Sequence, residues 1–146
     1  MPQSKVTSLN HVVFGTDGRR DCLNPELQKA LWAYIGGIAR NMRAKAMAVG
    51  GTGNHVHILL SLPANLHVAD AVQRIKGSSS KWISDNNPEM ANFRWQRGYG
   101  SFTISSSGIK PTIRYIQNQE EKHRKKTFME EYNEFLIANG HEPEDD

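Results

Sequence analysis

Hydrophobic residues recur along the chain with two different periods, which separate strands from helices. Residues 9–15 (LNHVVFG) are apolar and β-branched up to a glycine, which predicts a first strand. The run 55–62 (HVHILLSL) predicts the clearest strand, and the shorter segment 45–50 predicts another. Two more strands are predicted at 93–97 and 101–105, on either side of a glycine-containing turn.

Helical spacing of apolar residues appears between and after these strands. An asparagine followed by a proline opens a predicted helix over residues 25–44. A second helix is predicted over 68–85, and a third over about 106–125, capped by one of its first serines. Thr127 and Glu130 have the spacing of a capping box, which predicts the start of a last helix with one apolar face.

The predicted order, βαββαββαα, is typical of an α+β fold in which an antiparallel sheet carries helices on one face. A length of 146 residues and an apolar content of 38% predict one domain over 1–146. We expect its core at about 9–140 and an acidic tail at 141–146. No segment approaches the roughly 18 apolar residues of a membrane span, so we expect a cytoplasmic protein without a membrane partner. The single cysteine, Cys22, excludes an intrachain disulfide and a zinc site built from several thiolates.

The charged residues are distributed unevenly. The stretch from Lys5 to Lys126 holds all 18 Lys and Arg residues against 8 Asp and Glu, a net charge of +10. From Thr127 onward there are 7 acidic residues and no Lys or Arg, a net charge of −7. A basic body with an acidic end is typical of a nucleic-acid-binding protein, although a solvated basic surface has the same charge pattern.

Two histidines alternate within the clearest strand. His55 and His57 lie on one face of it, while Val56, Ile58 and Leu60 lie on the other. The apolar face must pack against helices, so we expect the imidazoles side by side on the opposite, open face, where they could bind one divalent metal. Two unrelated histidines, on the surface or satisfied in the core, are the competing interpretation of so short a motif.

The third predicted helix carries a tyrosine and a glutamine four residues apart, so Tyr115 and Gln119 share a face. At roughly 100° per residue, Tyr115 lies about 160° from Ile113, outside the isoleucine stripe of this helix. An amphipathic boundary residue is the alternative interpretation of the tyrosine. The carbonyl oxygen of Gln119 is a hard, neutral ligand that could complete a two-histidine site for Mg²⁺ or Mn²⁺.

Together these segments resemble a known family. HVHILL (55–60), IKGSSSKWI (75–83), FRWQRGYGSFTIS (93–105) and YIQNQEEKHRKKTFMEEYNEFL (115–136) are similar, in this order, to the insertion-sequence 200/605 transposases. These are single-tyrosine members of the HUH nucleases, a class named after its His-hydrophobic-His motif. The resemblance extends from about residue 11 to residue 140.

The resemblance implies a ferredoxin-like core and an enzyme that cleaves and rejoins single-stranded DNA at element ends through a 5′-phosphotyrosine link. It implies DNA hairpins as partners and Mg²⁺ or Mn²⁺ as cofactor. It assigns His55, His57 and Gln119 to the metal and Tyr115 to the nucleophile. It also implies a homodimer with composite sites, in which one subunit supplies the histidines and the other the tyrosine helix.

Two positions depart from the family pattern. Asn54 stands where an Asp often precedes the first histidine, and Lys122 stands where the family often has a histidine pair, which leaves only His123. Both changes affect residues around the predicted metal site rather than the predicted ligands.

Basic and aromatic residues supply candidates for contacts with DNA. Trp95 and Tyr99 either stack on bases or pack in the core. Five basic residues are candidates for hairpin contacts, with ordinary surface charge as the alternative for each: Arg74, Lys76, Lys81, Arg94 and Arg97.

Three other functions compete with transposition. A domesticated or repeat-associated HUH protein would bind or nick hairpins without mobilising an element. A pure binding module would hold hairpins without cutting them, and a hydrolase of small phosphoesters would need neither the tyrosine nor the basic body. Covalent protein–DNA adducts distinguish the nucleases from the other two.

Overall fold

The computed structural model describes residues 4–145, and its centre is a four-stranded antiparallel sheet. The strands are β1 (Leu9–Gly15), β2 (Lys45–Thr52), β3 (His55–Ser61) and β4 (Gly100–Thr103). Their order across the sheet is β2-β3-β1-β4, and each neighbouring pair is antiparallel. β3 and β1 are therefore the central strands, covered along both edges by neighbours.

Within residues 4–145, five α-helices accompany the sheet. They are α1 (Pro25–Asn41), α2 (Val68–Asn86), α3 (Ile109–Gln117), α4 (Gln119–Lys122) and α5 (Phe128–Ala138). The order βαββαβ through β4, with this strand order, is the split βαβ arrangement of ferredoxin-like folds. The predicted α+β class is confirmed. None of the helices within residues 4–145 has both the length and the apolar character needed to cross a bilayer.

The two crossover helices, α1 and α2, lie on one face of the sheet and form the main core with it. Val56, Ile58 and Leu60 of β3 point into this core, as their alternation with the histidines predicts. Val12 and Phe14 of β1 extend the same layer and have no exposed surface. These residues share one face because successive side chains along a strand point alternately to opposite sides of the sheet.

The opposite face of the sheet is not open. Phe128, Tyr132 and Leu136 of α5 pack on Val13 and Phe102 of the sheet and form a second, smaller core. The apolar face predicted for the last helix needs burial, and this side of the sheet supplies it. The expectation of exposed histidines is therefore wrong, since neither His55 nor His57 has any exposed surface.

The strand predicted at 93–97 is wrong, since the segment makes only an isolated bridge between Trp95 and Thr16. β4 already pairs with β1 from Asn10 to Val13, which leaves little of that edge free. The Trp95 indole N–H donates to Ser79 Oγ at 2.9 Å, and its ring meets the Phe14 ring edge-on. Core packing is thus the role of Trp95.

The helix predicted over 106–125 is interrupted. α3 ends at Gln117, and Asn118 leaves helical geometry with φ −102° and ψ 23° before the short α4 begins. The capping box that opens α5 is confirmed, with Thr127 Oγ1 accepting from the Glu130 N–H at 3.1 Å and the Glu130 carboxylate accepting from the Thr127 N–H at 3.2 Å.

Candidate active site

Tertiary packing brings the four residues predicted for catalysis into one pocket between β3, α3, α4 and α5. His55 and His57 come from β3, which lies between β1 and β2. Tyr115 comes from the end of α3, and Gln119 opens α4 and is buried. All four belong to the same chain.

Two glycines beside the histidines let the helices lie directly on the sheet. Gly50 is the β2 partner of His57, and a Cβ atom there would be 2.5 Å from the Ile116 carbonyl oxygen of α3. Gly15 is the β1 partner of His55, and a Cβ atom there would be 2.7 Å from the Phe128 ring of α5. The absence of side chains at both positions allows the close approach that encloses the pocket.

The Nδ1 atoms of both histidines have hydrogen-bond partners that lie outside the predicted metal site. His57 Nδ1 is 2.8 Å from His11 Nε2, and His55 Nδ1 is 2.9 Å from Asn54 Oδ1. Each Nε2 atom therefore faces the centre of the pocket. Hydrogen bonds of this kind orient the ring of a metal-ligating histidine and set its tautomer. Asn54, which departs from the family pattern, here supplies the oxygen that orients His55.

His55 lies between two acceptors. In the tautomer with the single proton of the neutral ring on Nδ1, the ring can donate to Asn54 Oδ1 at 2.9 Å or to Thr52 Oγ1 at 3.0 Å. The Nε2 lone pair then faces Gln119 Oε1 at 2.8 Å. Burial, followed by repulsion from His57, lowers the pKa of His55 to about 3, which keeps the ring neutral. Two acceptors facing each other are an arrangement that a bound cation satisfies.

The Gln119 side-chain amide is oriented by the hydrogen bond that its nitrogen makes. Its Nε2 donates to Glu131 Oε2 at 3.1 Å, which turns Oε1 towards His55 and towards His123 Nε2 at 3.1 Å. The carbonyl oxygen of the predicted third ligand is therefore directed at His55 and His123.

Tyr115 closes the pocket from the side of α3. Its hydroxyl donates to Glu131 Oε2, and its ring lies edge-on to His57 with centroids 5.7 Å apart. Burial, followed by the hydrogen bond to the carboxylate, raises the pKa of Tyr115 above its ordinary value. The phenol is consequently protonated at neutral pH and must lose its proton to act as a nucleophile.

Sequence reasoning missed His11 and Glu131 and did not name His123 as a possible ligand, although it noted His123 near the predicted metal site. The metal-binding atoms of His55, His57, His123 and Glu131 lie within 4.8 Å of one another. A signal for Glu131 was present, because it follows Phe128 by three residues and precedes Phe135 by four, within the apolar stripe of α5. His11 similarly interrupts an apolar strand.

The five basic residues predicted to contact DNA lie apart from this pocket, on α2 and in the loop before β4. Lys76 Nζ donates to the carbonyl oxygens of Gln96 at 2.6 Å and Gly98 at 2.8 Å, which joins α2 to that loop. Lys81 pairs with Asp85, and Arg94 pairs with Asp17. Arg74 and Arg97 are exposed.

A groove beside Tyr115 also carries basic residues. Its lining is Tyr115, Asn118, Glu121, Lys122, Lys125 and Lys126. Lys122 Nζ lies 5.6 Å from the centre of the Tyr115 ring. The half-buried nucleophile candidate thus opens onto a surface that carries three lysines.

Comparison with known proteins gives a family match. The family model described as "Transposase IS200 like" matches residues 5–119. The chain is 24% identical over 119 residues to the transposase for insertion sequence element IS200 of Salmonella typhimurium, which spans 78% of both chains. The corresponding Salmonella typhi protein matches equally.

Two solved structures share the fold. A putative transposase from Deinococcus radiodurans superposes with a TM-score of 0.64 at 22% identity, covering 82% of this chain and 98% of the other. A REP-associated tyrosine transposase bound to a REP hairpin superposes with a TM-score of 0.63 at 17% identity, covering 84% and 73%.

Proposed function

Because the chain belongs to the family of IS200-like transposases, we propose that it cleaves and rejoins single-stranded DNA at the ends of an insertion element, with Tyr115 as nucleophile. The observation that carries the proposal is the convergence of the Tyr115 hydroxyl, two buried histidine nitrogens and the Gln119 carbonyl oxygen on one pocket. Apolar packing alone would not gather these polar groups in the interior.

We propose His55 Nε2, His57 Nε2 and Gln119 Oε1 as ligands of a divalent metal. The donor set fits Mg²⁺ or Mn²⁺, because the Gln119 carbonyl oxygen is a hard ligand that these ions accept, it lies 2.8 Å from His55 Nε2, and no cysteine belongs to the cluster. When bound, the ion supplies Lewis-acid stabilisation of the negative charge on the scissile phosphate. His11 and Asn54 hold the two imidazoles in orientation from behind.

The chemistry proposed for Tyr115 is a transesterification. Its phenolic oxygen forms a bond to phosphorus, the bond from phosphorus to the 3′ oxygen breaks, and the electron pair leaves with that oxygen. The proton lost by the phenol balances the proton gained by the new 3′-OH. A 3′-OH of the same or another strand later attacks the phosphotyrosine, which restores Tyr115 and joins the DNA without an external energy source.

The scissile strand enters from the groove beside Tyr115, in this proposal. His55 and His57 are inaccessible from the surface, whereas Tyr115 is half-buried and borders the groove. Lys122, Lys125 and Lys126 give this entrance the positive charge that attracts a phosphate backbone.

We propose a DNA hairpin as the recognised partner, held by Arg74, Lys76, Lys81, Arg94 and Arg97. The basic body of the chain and the hairpin bound to the REP-associated relative support this choice. Affinity for a single-stranded hairpin should fall with rising salt. The logarithm of the binding constant should decrease with the logarithm of the salt concentration, with a slope of roughly −0.7 for each phosphate neutralised. Fluorescence anisotropy over a salt series measures this slope, and a flat dependence would contradict electrostatic binding.

Cleavage is tested with oligonucleotides labelled at the 3′ end that tile both strands of the DNA flanking the gene. A 5′-phosphotyrosine link leaves the label on the protein, so a labelled band should appear on a denaturing gel with Mn²⁺ and disappear with EDTA. Tyr115→Phe should abolish the band and leave hairpin binding intact. An adduct that persists in this variant would move the nucleophile to Tyr34, Tyr99 or Tyr132.

We propose that the protein acts as a homodimer. The contacts within one chain support sites in which the histidines and the tyrosine come from the same subunit. Tyr115 already lies beside His57 of its own chain. A heterodimer of Tyr115→Phe and His57→Ala chains should then stay inactive, because every site keeps one defect. Co-expression with two tags and the adduct assay check this. Restored cleavage would instead show the composite sites implied by the family resemblance.

A second candidate is a repeat-associated protein that nicks hairpins without moving an element, a function suggested by the REP-associated relative. A second oligonucleotide with a free 3′-OH, added after cleavage, distinguishes the two. A joined product supports transposition, and nicking without joining supports the repeat-associated function.

A further inference from the structure

Glu131 is a buried carboxylate that comes from outside the segment matched by the family model. The match ends at residue 119, whereas Glu131 lies on α5 with 1% of its surface exposed. Burying a carboxylate costs several kcal/mol unless charged or polar partners compensate it. Glu131 must therefore be explained by the groups around it.

One carboxylate oxygen faces the proposed metal ligands. Glu131 Oε1 is 3.1 Å from His57 Nε2, 2.9 Å from His123 Nε2 and 3.6 Å from His55 Nε2. An imidazole that binds a metal through its lone pair carries no charge, and neither does the Gln119 amide. Hard divalent cations favour carboxylate oxygen, so Oε1 is the atom that would give this ligand set a negative charge.

The other oxygen faces the proposed nucleophile. Glu131 Oε2 accepts the hydrogen bond from the Tyr115 hydroxyl and a second one from Gln119 Nε2 at 3.1 Å. The two oxygens of one side chain thus contact the two halves of the reaction site, the ligand nitrogens and the attacking hydroxyl.

We propose that Glu131 bridges the site, as a further metal ligand through Oε1 and as the residue that positions the Tyr115 hydroxyl through Oε2. This inference rests on the proposed function, since it assumes a metal on the strand histidines and attack by Tyr115. It makes α5 a part of the reaction site as well as its cover. A carboxylate that only stabilised the packing of α5 would contact the histidines without affecting metal binding.

Glu131→Gln tests the metal role, because glutamine keeps the size and one oxygen but removes the charge. Isothermal titration with Mn²⁺ in the absence of DNA should show at least about tenfold weaker binding. Glu134→Gln is the matched control, being three residues further along α5 with an exposed carboxylate that pairs with Lys126. It should bind Mn²⁺ like the wild-type chain.

Tyrosine positioning is tested by the rate of adduct formation at an Mn²⁺ concentration that saturates the variant. Under these conditions Glu131→Gln should form the adduct at least about tenfold more slowly than the wild-type chain, because a carboxylate no longer holds Tyr115. Its affinity for the hairpin should be unchanged. Recovery of the wild-type rate under saturating metal would limit Glu131 to the metal and overturn the bridge.

A measurement on the wild-type chain covers the case in which Glu131→Gln does not fold. In protein labelled with ¹³C at the glutamate carboxyl carbons, Mg²⁺ should shift the Glu131 resonance and leave that of Glu134 in place. A Glu131 resonance that ignores Mg²⁺, or wild-type Mn²⁺ affinity in a folded Glu131→Gln variant, would overturn this inference alone. A wild-type chain that binds no Mn²⁺ would overturn the proposed metal site with it.

Discussion

The two faces of the central sheet are built from the same strands but differ in what they bury. Towards α1 and α2, β3 presents Val56, Ile58 and Leu60, whose burial is favourable without any directional contact. Towards α5 it presents His55 and His57, which are equally buried but depend on specific polar partners.

The polar side chains on the α5 side of β3 have one another as neighbours. Within the described residues, every buried side-chain nitrogen or oxygen lies within hydrogen-bond distance of another polar atom. A cluster of this kind contributes little net stability, since its hydrogen bonds replace those with water. Along β3, the apolar side chains therefore stabilise the fold, whereas the histidines of the same strand are reactive groups held in the interior by polar contacts.

Neighbouring residues of β3 give the strongest test of this division. Ile58→Ala should destabilise the fold by about 2–5 kcal/mol and retain Mn²⁺ binding, because it leaves a cavity on the apolar face alone. His57→Ala should lose Mn²⁺ binding and cleavage with a smaller loss of stability. Chemical denaturation and isothermal titration measure both quantities. A collapsed fold in His57→Ala with Ile58→Ala unaffected would reverse the roles of the faces.

Gly50→Ala tests the close approach of α3 on the polar face. The new Cβ would meet the Ile116 carbonyl oxygen, so α3 must shift, at a cost of roughly 1–3 kcal/mol. The shift should also weaken Mn²⁺ binding, because Gln119 follows α3 directly. Denaturation and titration report the two effects.

Gly77→Ala is the matched control on α2, where an added Cβ meets nothing within 4 Å. Alanine is favoured over glycine inside a helix by about 0.5–1 kcal/mol, so this variant should be more stable, with unchanged metal binding. Equal changes in stability and in Mn²⁺ affinity for the two substitutions would show that the contact between Gly50 and α3 does not limit the packing of that helix.

Removing the N-terminal caps of α1 and α5, which lie on opposite faces of the sheet, should have a small effect on stability. Thr127→Ala removes the cap of α5, and Asn24→Ala removes that of α1, each at about 0.5–2 kcal/mol. The Thr127 change should speed hydrogen exchange mainly in α5, which covers the site, whereas the Asn24 change should lower the stability of the whole domain. Exchange mass spectrometry separates the patterns, and uniform acceleration in both variants would argue against separate opening of α5.

The sequence by itself determined the parts of this protein that depend on local periodicity. Alternation along β3 placed His55 and His57 opposite Ile58, and spacing by four placed Tyr115 and Gln119 together, although the break at Asn118 was not foreseen. The capping box at Thr127 and Glu130 follows from adjacent residues alone. Each of these relations extends over a few residues, within the reach of the regular strand and helix repeats.

Only the tertiary structure decided what covers the histidines and which groups join them. His11 reaches His57 across 46 residues of chain, and Glu131 reaches it across 74. The extended segment at 93–97 failed as a strand because β4 already occupied the edge of β1. These outcomes depend on which surfaces compete for the same partner, and that competition arises between segments distant in sequence, where local patterns carry no information.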